Sequence, residues 1–130
     1  AIFFFFFEMK TTVTSLSQAP RVTPVDIEAE IVSEFFFTAA DGRTGAITAG
    51  TYSGVERPQE GAADLAKLGL ITICVLITRN GTKLVGVNEG PVSPQNFDPE
   101  TGKRFAREKA IDQLWPMLGY RLRDKLSEAA

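Results

Sequence analysis

The sequence predicts an α+β fold with an N-terminal helix, an antiparallel β-sheet and a C-terminal helical hairpin. Three observations support this prediction. A helix N-cap at Thr23 opens a stretch of helical periodicity, and an Asn80-Gly81 pair joins two runs rich in β-formers. Two amphipathic segments then flank a Trp115-Pro116 break. A chain of 130 residues supports one modest hydrophobic core, so we expect a single domain.

The predicted domain covers residues 19–130, with the sheet part extending to about residue 90 and the helical hairpin spanning 98–127. Residues 1–18 are interpreted as an extraneous or extended N-terminal segment. The opening AIFFFFFE lacks the basic region and cleavage site of a signal peptide, and it is too short to span a bilayer. The alternative is a hydrophobic strand that packs on a partner chain.

The first helix is predicted from Pro24 to about Glu34. Thr23 is a favourable N-cap residue, and proline suits the first helical position because that position needs no backbone N–H donor. An apolar residue recurs at every fourth position, in the order Ile27, Ile31, Phe35. This spacing predicts one buried helical face.

The segment that follows is predicted to turn at Asp41-Gly42 and to continue as one or two weak strands within residues 43–56. The apolar and β-branched run Leu68–Thr78 predicts a central strand. A tight turn at Asn80-Gly81 then pairs that strand with residues 83–88, completing a β-hairpin.

The C-terminal region is predicted to be helical after a proline-rich loop. Asp98 is a suitable N-cap, and Pro99 suits the first helical position. Its apolar row is Ala106, Ala110 and Leu114, and Phe105 is expected to broaden this buried face. The helix is expected to reach about Leu114, where Pro116 breaks or kinks it. A second helical segment follows to about Ser127, giving either a helical hairpin or one bent helix.

The composition argues against several classes of function. The chain has no histidine, which removes the commonest general base and metal ligand, and a net charge of −2 does not favour general DNA binding. The single cysteine, Cys74, lies in an apolar strand and is interpreted as a core residue. No nucleophile, phosphate-loop or metal-ligand motif is present, so we expect neither an enzyme nor a cofactor.

A candidate binding site lies where the loop after the sheet enters the first C-terminal helix. Its residues are Asn88, Ser93, Phe97, Lys103, Arg104 and Arg107. Guanidinium groups at a helix N-terminus bind phosphate, a phenyl ring stacks on a base, and amides read base edges. The alternative is structural: the cations form a solvated helix face, and the aromatic residue belongs to the core.

Three blocks carry a resemblance to small phage and prophage proteins. They are APRVTPVDIEAEIVSEFFFTAADG, LITICVLITRNGTKLVG and VSPQNFDPETGKRFAREKAIDQLWPMLGYRLRDKL, which together span about residues 19–126. The third block is the most specific. This pattern resembles the family that contains the Thoeris anti-defence sponge. The resemblance implies a homo-oligomer with a β-rich N-terminal part and a C-terminal helical hairpin.

The resemblance implies a phage protein that acts in the cytoplasm of the infected bacterial host. Such sponges bind cyclic ADP-ribose isomers made by immune TIR-domain proteins and do not cleave them; some also hold cyclic oligonucleotides of CBASS defence. The resemblance assigns Arg104 and Arg107, within GKRFARE, to phosphate, and Asn88 and Phe97 to base or ribose. Lys83 stands where many relatives carry an aromatic residue. The alternative function is phage assembly without a nucleotide ligand.

Overall fold

The structure is a computed structural model that describes residues 19–51, 55–59 and 63–129. The elements are α1 (Pro24–Glu30), β1 (Ile31–Thr38), α2 (Ala39–Ala49), α3 (Ala63–Leu68), β2 (Thr72–Thr78), β3 (Lys83–Asn88) and α4 (Pro99–Ala129). A 3-10 turn at Pro94–Asn96 precedes α4. The α+β prediction is confirmed. The interpretation of residues 1–18 lies outside the described residues.

The sheet has three antiparallel strands in the order β1-β2-β3. The predicted central strand is therefore confirmed as β2, and the hairpin to β3 forms at the predicted turn. Gly81 has a φ of 88°, a conformation that glycine adopts without steric cost. The Asn80 side-chain oxygen accepts hydrogen bonds from the hydroxyls of Thr78 and Thr82, both at 2.7 Å, and so closes the turn.

The core lies between one face of the sheet and α4, which packs on β2 and β3. From the sheet it contains Cys74, Leu76 and Leu84; from the helices it contains Ile27, Ala106, Ala110, Leu114 and Leu118. The small residues let the helix approach closely. A Cβ atom placed on Gly86 would lie 1.9 Å from the Ala106 carbonyl oxygen, so backbone meets backbone at this point.

The first helix is shorter than predicted, because it ends at Glu30 and the chain continues directly as β1. The four-residue spacing of apolar side chains also fits a strand rich in β-branched and aromatic residues, and pairing with β2 decides between the two. Phe35 was expected on a buried helical face. It lies instead on the outer face of the sheet and is 53% exposed.

The predicted turn at Asp41-Gly42 is wrong, and so is the first half of the predicted strand region 43–56, because residues 39–49 form α2. Thr38 caps this helix: its hydroxyl accepts the backbone N–H of Asp41 at 3.1 Å, and the Asp41 carboxylate accepts the backbone N–H of Thr38 at 3.0 Å. Such a reciprocal capping box starts a helix. Residues 52–54 of the predicted strand region lie outside the described residues.

Of the two alternatives for the C-terminal region, the hairpin is wrong and the single helix is right, because α4 is one continuous helix with Pro116 inside it. Leu114 and Leu118 lie on either side of the proline and are both buried in the same core. Proline removes the hydrogen bond to the Asp112 carbonyl, but both residues are exposed, so water can satisfy that group. None of the described helices is long and apolar enough to cross a membrane.

Candidate ligand-binding site

The loop between β3 and α4 is held by its two ends. Gly90 has a φ of 87°, and a Cβ atom there would lie 2.5 Å from the Leu70 carbonyl oxygen, so glycine is required as the chain leaves the sheet. At the other end, the Asp98 carboxylate accepts the Thr101 hydroxyl at 2.6 Å. This bond, together with backbone N–H groups of the first helical turn, lowers the pKa of Asp98.

A first cavity of about 250 Å³ lies between this loop and the start of α4. Its lining includes Asn88, Asn96, Phe97, Thr101 and Phe105. The Asn88 side-chain oxygen accepts the backbone N–H of Gly90 at 3.1 Å, so the loop orients this amide. Amides and aromatic rings in one cavity provide polar recognition and a stacking surface.

A second cavity of about 230 Å³ lies on the other side of Phe97. Thr38, Thr72 and Lys103 are among its lining residues. The wall between the helix and the sheet is tight here, because a Cβ atom on Gly102 would lie 2.6 Å from the Thr72 hydroxyl oxygen. Phe97 therefore separates two small cavities, one beside an amide and the other beside an ammonium group.

Arg104 lies beside the first cavity, because it contacts Phe105, which lines that cavity. Its guanidinium carbon is 5.0 Å from the centre of the Phe105 ring, within the range of a cation–π contact. Phe105 was expected in the core; the structure leaves it 40% exposed and lining the cavity. Arg104 is itself exposed, so its charge faces solvent beside an aromatic wall.

Arg107 lies one turn farther along α4 and ties three elements together. Its two terminal nitrogens donate to both oxygens of Glu28 in α1, at 2.9 and 2.8 Å. Its Nε donates to Glu34 in β1. The hydrogen bonds from Arg107 lower the pKa of Glu28, and the carboxylates of Glu28 and Glu34 raise the pKa of Arg107. Arg107 lines neither cavity at the loop.

The structure brings only some of the predicted residues together. Asn88 and Phe97 share the first cavity, and Phe97 and Lys103 share the second. The Lys103 Nζ also lies 3.5 Å from Oε1 of Glu100. Ser93 is exposed, makes no capping hydrogen bond and lines neither cavity.

The sequence reasoning missed Phe105 as a cavity wall and the two carboxylates that bind Arg107. Phe105 was assigned to the core because its helical position broadens the apolar row of α4. Glu34 is separated from Arg107 by 73 positions, and no local charge pattern indicates such a pairing. Only the docking of α4 on the sheet edge brings the two together.

A larger cavity, of about 560 Å³, lies elsewhere, between α2, α3 and residues 56–59. Cations (Arg43, Arg57, Lys67), acids (Glu56, Asp64) and apolar side chains mix in its lining. Arg43 is paired with Glu56 at 2.5 Å. Gln59 also places an amide in this lining, but no aromatic ring of the described residues lines it. We favour the smaller loop cavities as the candidate site because the rings of Phe97 and Phe105 line them and provide a stacking surface.

Metal and thiol chemistry receive no support from the described ranges. Among residues 19–51, 55–59 and 63–129, no group of three or more acidic or cysteine side chains could hold a metal ion. Cys74 is fully buried, and burial raises the pKa of its thiol to about 11. The thiolate form is therefore scarce at neutral pH, and the interpretation of Cys74 as a core residue is confirmed.

Residues 22–126 match the family described as Phage protein (N4 Gp49/phage Sf6 gene 66) family. The chain belongs to this family. The matched range of the N4 Gp49/Sf6 gene 66 family begins just before α1 and ends near the end of α4, so it includes the whole sheet and both loop cavities. The phage-protein part of the resemblance is thereby confirmed. Searches found no similar curated protein and no similar solved structure.

Proposed function

We propose that this protein is a phage anti-defence sponge that binds cyclic nucleotide immune signals in the host cytoplasm and does not cleave them. The observation that carries the proposal is the arrangement around Phe97: an amide in one cavity, an ammonium group in the other, and Arg104 beside the Phe105 wall. Aromatic faces bind bases, and arginine binds phosphates. The ligands proposed are cyclic ADP-ribose isomers and, at a separate site, cyclic oligonucleotides.

Phosphate binding is assigned first to Arg104 and Lys103. Both lie in the second turn of a 31-residue helix, next to the first turn, whose N–H groups carry partial positive charge. Phosphate binding by Arg107 costs additional free energy, because its guanidinium already binds Glu28 and Glu34. A phosphate that contacts Arg107 must compete with two carboxylates, so we assign Arg107 a contact that requires rearrangement of these ion pairs.

A tight complex needs more enclosure than these cavities give in one chain. Each is about 230–250 Å³, below the roughly 300–1,000 Å³ typical of small-molecule pockets. A nanomolar sponge needs about 12 kcal/mol of binding free energy, which an open and half-formed site rarely supplies. We therefore propose that the protein is a homo-oligomer and that a second subunit completes the site.

The alternative function is phage assembly without a nucleotide ligand. The second half of α4 favours it, because Met117, Tyr120 and Leu126 are 46%, 72% and 44% exposed. A long helix with exposed apolar residues can bind another protein. Such a role needs no amide or cation at the loop cavities.

One experiment separates these functions. The purified protein is incubated with cyclic ADP-ribose isomers or with cyclic oligonucleotides, separated from free ligand, and heated to release what it holds. Intact ligand recovered by mass spectrometry supports the sponge, and altered ligand indicates an enzyme. If neither class of signal is depleted from solution, the sponge proposal fails and the assembly role remains.

The site assignment is tested with Arg104→Ala. We expect binding of the depleted nucleotide to weaken by about 10- to 100-fold, since a hydrogen bond to a charged group contributes roughly 1.5–3 kcal/mol. Calorimetry measures the affinity. Arg123→Ala, an exposed arginine on the same helix, is the matched control and should bind like the parent. Equal affinities for both variants would contradict the assignment of Arg104.

A further inference from the structure

The face of the sheet opposite α4 is apolar along all three strands. Alternation along the paired strands places seven apolar residues on it: Phe35, Phe37, Ile73, Val75, Ile77, Val85 and Val87. Among the described strand residues, the polar positions on this face are Ser33 and Lys83, which pair with the two sides of Ile77 at one end. We call this surface the outer face.

The outer face is not covered by the described parts of the chain. Phe35 and Val85 are 53% and 47% exposed, and Phe37 and Val87 are each 38% exposed. Val75, in the central strand, is half-buried by its two neighbouring strands. All four of the exposed residues are large, and each leaves apolar surface in contact with water.

An antiparallel sheet with one solvated face normally alternates apolar and polar residues. Here β2 reads TICVLIT, with Cys74 and Leu76 facing α4 and Val75 facing outward between them. Both faces of the central strand therefore carry apolar side chains. This pattern is typical of a sheet that is covered on both sides, so the outer face fits a contact surface better than a solvated one.

We propose that the outer face packs against the outer face of a second copy of this chain. An uncharged centre offers nothing to a charged partner, but it is complementary to itself, as a two-fold interface requires. Two sheets stack at about 10 Å with their apolar side chains interdigitated. Three strands about 4.8 Å apart present roughly 300 Å² in projection, a suitable apolar centre for an interface of about 800 Å² per partner.

The contact is independent of any nucleotide, because the loop cavities lie at the N-terminus of α4 and the outer face lies across the sheet from that helix. A monomeric parent that still retains nucleotide would contradict the outer-face contact and the completion of the site by a second subunit, but it would not contradict nucleotide binding itself. Conversely, a protein that binds no nucleotide could still dimerise through this face. The two proposals are therefore distinguishable.

The test is the mass of the full chain in solution, measured by light scattering on a size-exclusion column. We expect the parent to have at least twice its chain mass of 14.2 kDa. Val85→Glu places a carboxylate on the outer face and should weaken self-association at least 10-fold. Val92→Glu is the matched control, because Val92 is fully exposed in the loop, and its mass should equal that of the parent.

Circular dichroism of each variant establishes that it is folded. If Val85→Glu does not fold, Val85→Cys replaces it: alkylation of this thiol should slow as protein concentration rises, while alkylation of Val92→Cys should not. A monomeric parent would overturn the proposal and favour cover by the phenylalanines of the N-terminal segment. An unchanged mass for folded Val85→Glu, or concentration-independent alkylation of Val85→Cys, would also overturn it.

Discussion

Glu30 is buried, which is unusual for a glutamate. It ends α1 as a buried carboxylate, with its side chain only 8% exposed. Arg121 in α4 and Arg79 after β2 each donate to it at 2.9 Å. The hydrogen bonds from Arg121 and then Arg79 lower the pKa of Glu30. This cluster joins the end of the first helix to the sheet and to the distal half of α4.

The charge of Glu30 predicts an acid-sensitive contribution to stability. Because its pKa is lower in the folded state, the contribution is fully present above the unfolded value near 4.5. It is lost as the pH falls through the folded pKa, since the unfolded state then binds more protons. Glu30→Gln should lower the free energy of unfolding at pH 7 by about 1–3 kcal/mol and flatten its decline below pH 4.5.

Denaturant titrations at several pH values measure both effects. Glu108→Gln, an exposed glutamate on α4, is the control and should follow the parent. An acid limb equally steep in Glu30→Gln and the parent would show that other carboxylates dominate acid unfolding.

At the scale of elements, the docking of α4 on the sheet depends on residues with little or no side chain. Gly86 in β3 faces Ala106 and Ala110 so closely that even a methyl group would meet the helix backbone. Gly119, farther along the same helix, has open space within 4 Å of its Cβ position. Substitution of these two glycines therefore distinguishes the effect of close helix–sheet packing from the effect of helix propensity.

We expect Gly86→Ala to lower the free energy of unfolding by about 3 kcal/mol or more, because the helix must move away from the sheet. Gly119→Ala should raise it by about 0.5–1 kcal/mol, as alanine favours a helix interior. Chemical denaturation measures both. If Gly86→Ala were as stable as Gly119→Ala, α4 could not dock on β3 as described.

Pro116 tests the continuity of α4. Replacement by alanine restores the hydrogen bond to the Asp112 carbonyl, and proline in a helix interior costs up to about 3 kcal/mol. Pro116→Ala should therefore raise the free energy of unfolding by about 1–3 kcal/mol. Pro99→Ala is the matched control and should change little, because Pro99 is the first residue of α4, where proline is favoured. Equal effects at the two positions would indicate that the helix ends near residue 116.

At the scale of the whole molecule, Cys74 reports on the integrity of the core. Its thiol is fully exposed only when α4 leaves the sheet, and burial raises its pKa to about 11. We expect native protein to resist thiol reagents and to react with the cooperativity of global unfolding when denaturant is added. Val92→Cys should react at once. Rapid labelling of native Cys74 would show that the core opens locally.

The sequence predictions were accurate where interactions between neighbouring residues decide the structure and inaccurate where residues distant in sequence decide it. The turn at Asn80-Gly81 and the cap of α4 at Asp98 depend on neighbouring residues, and both were predicted. The end of α1 depends on pairing between β1 and β2, so periodicity alone misplaced it. For the candidate site, the sequence placed Asn88 and Phe97 in one region, and both side chains line the first cavity. The sequence did not indicate that Arg107 donates hydrogen bonds to the carboxylates of Glu28 and Glu34.

The sequence by itself determined the α+β class, the central strand, the family motif and the absence of histidine chemistry, because these depend on composition and local patterns. Only the tertiary structure decided that α4 is one helix, since burial of Leu114 and Leu118 in a shared core outweighs the break expected at Pro116. It also decided that the guanidinium of Arg107 is bound by two carboxylates. Partners such as Arg107 and Glu34 are distant in sequence, and only the packing of helix on sheet brings them together.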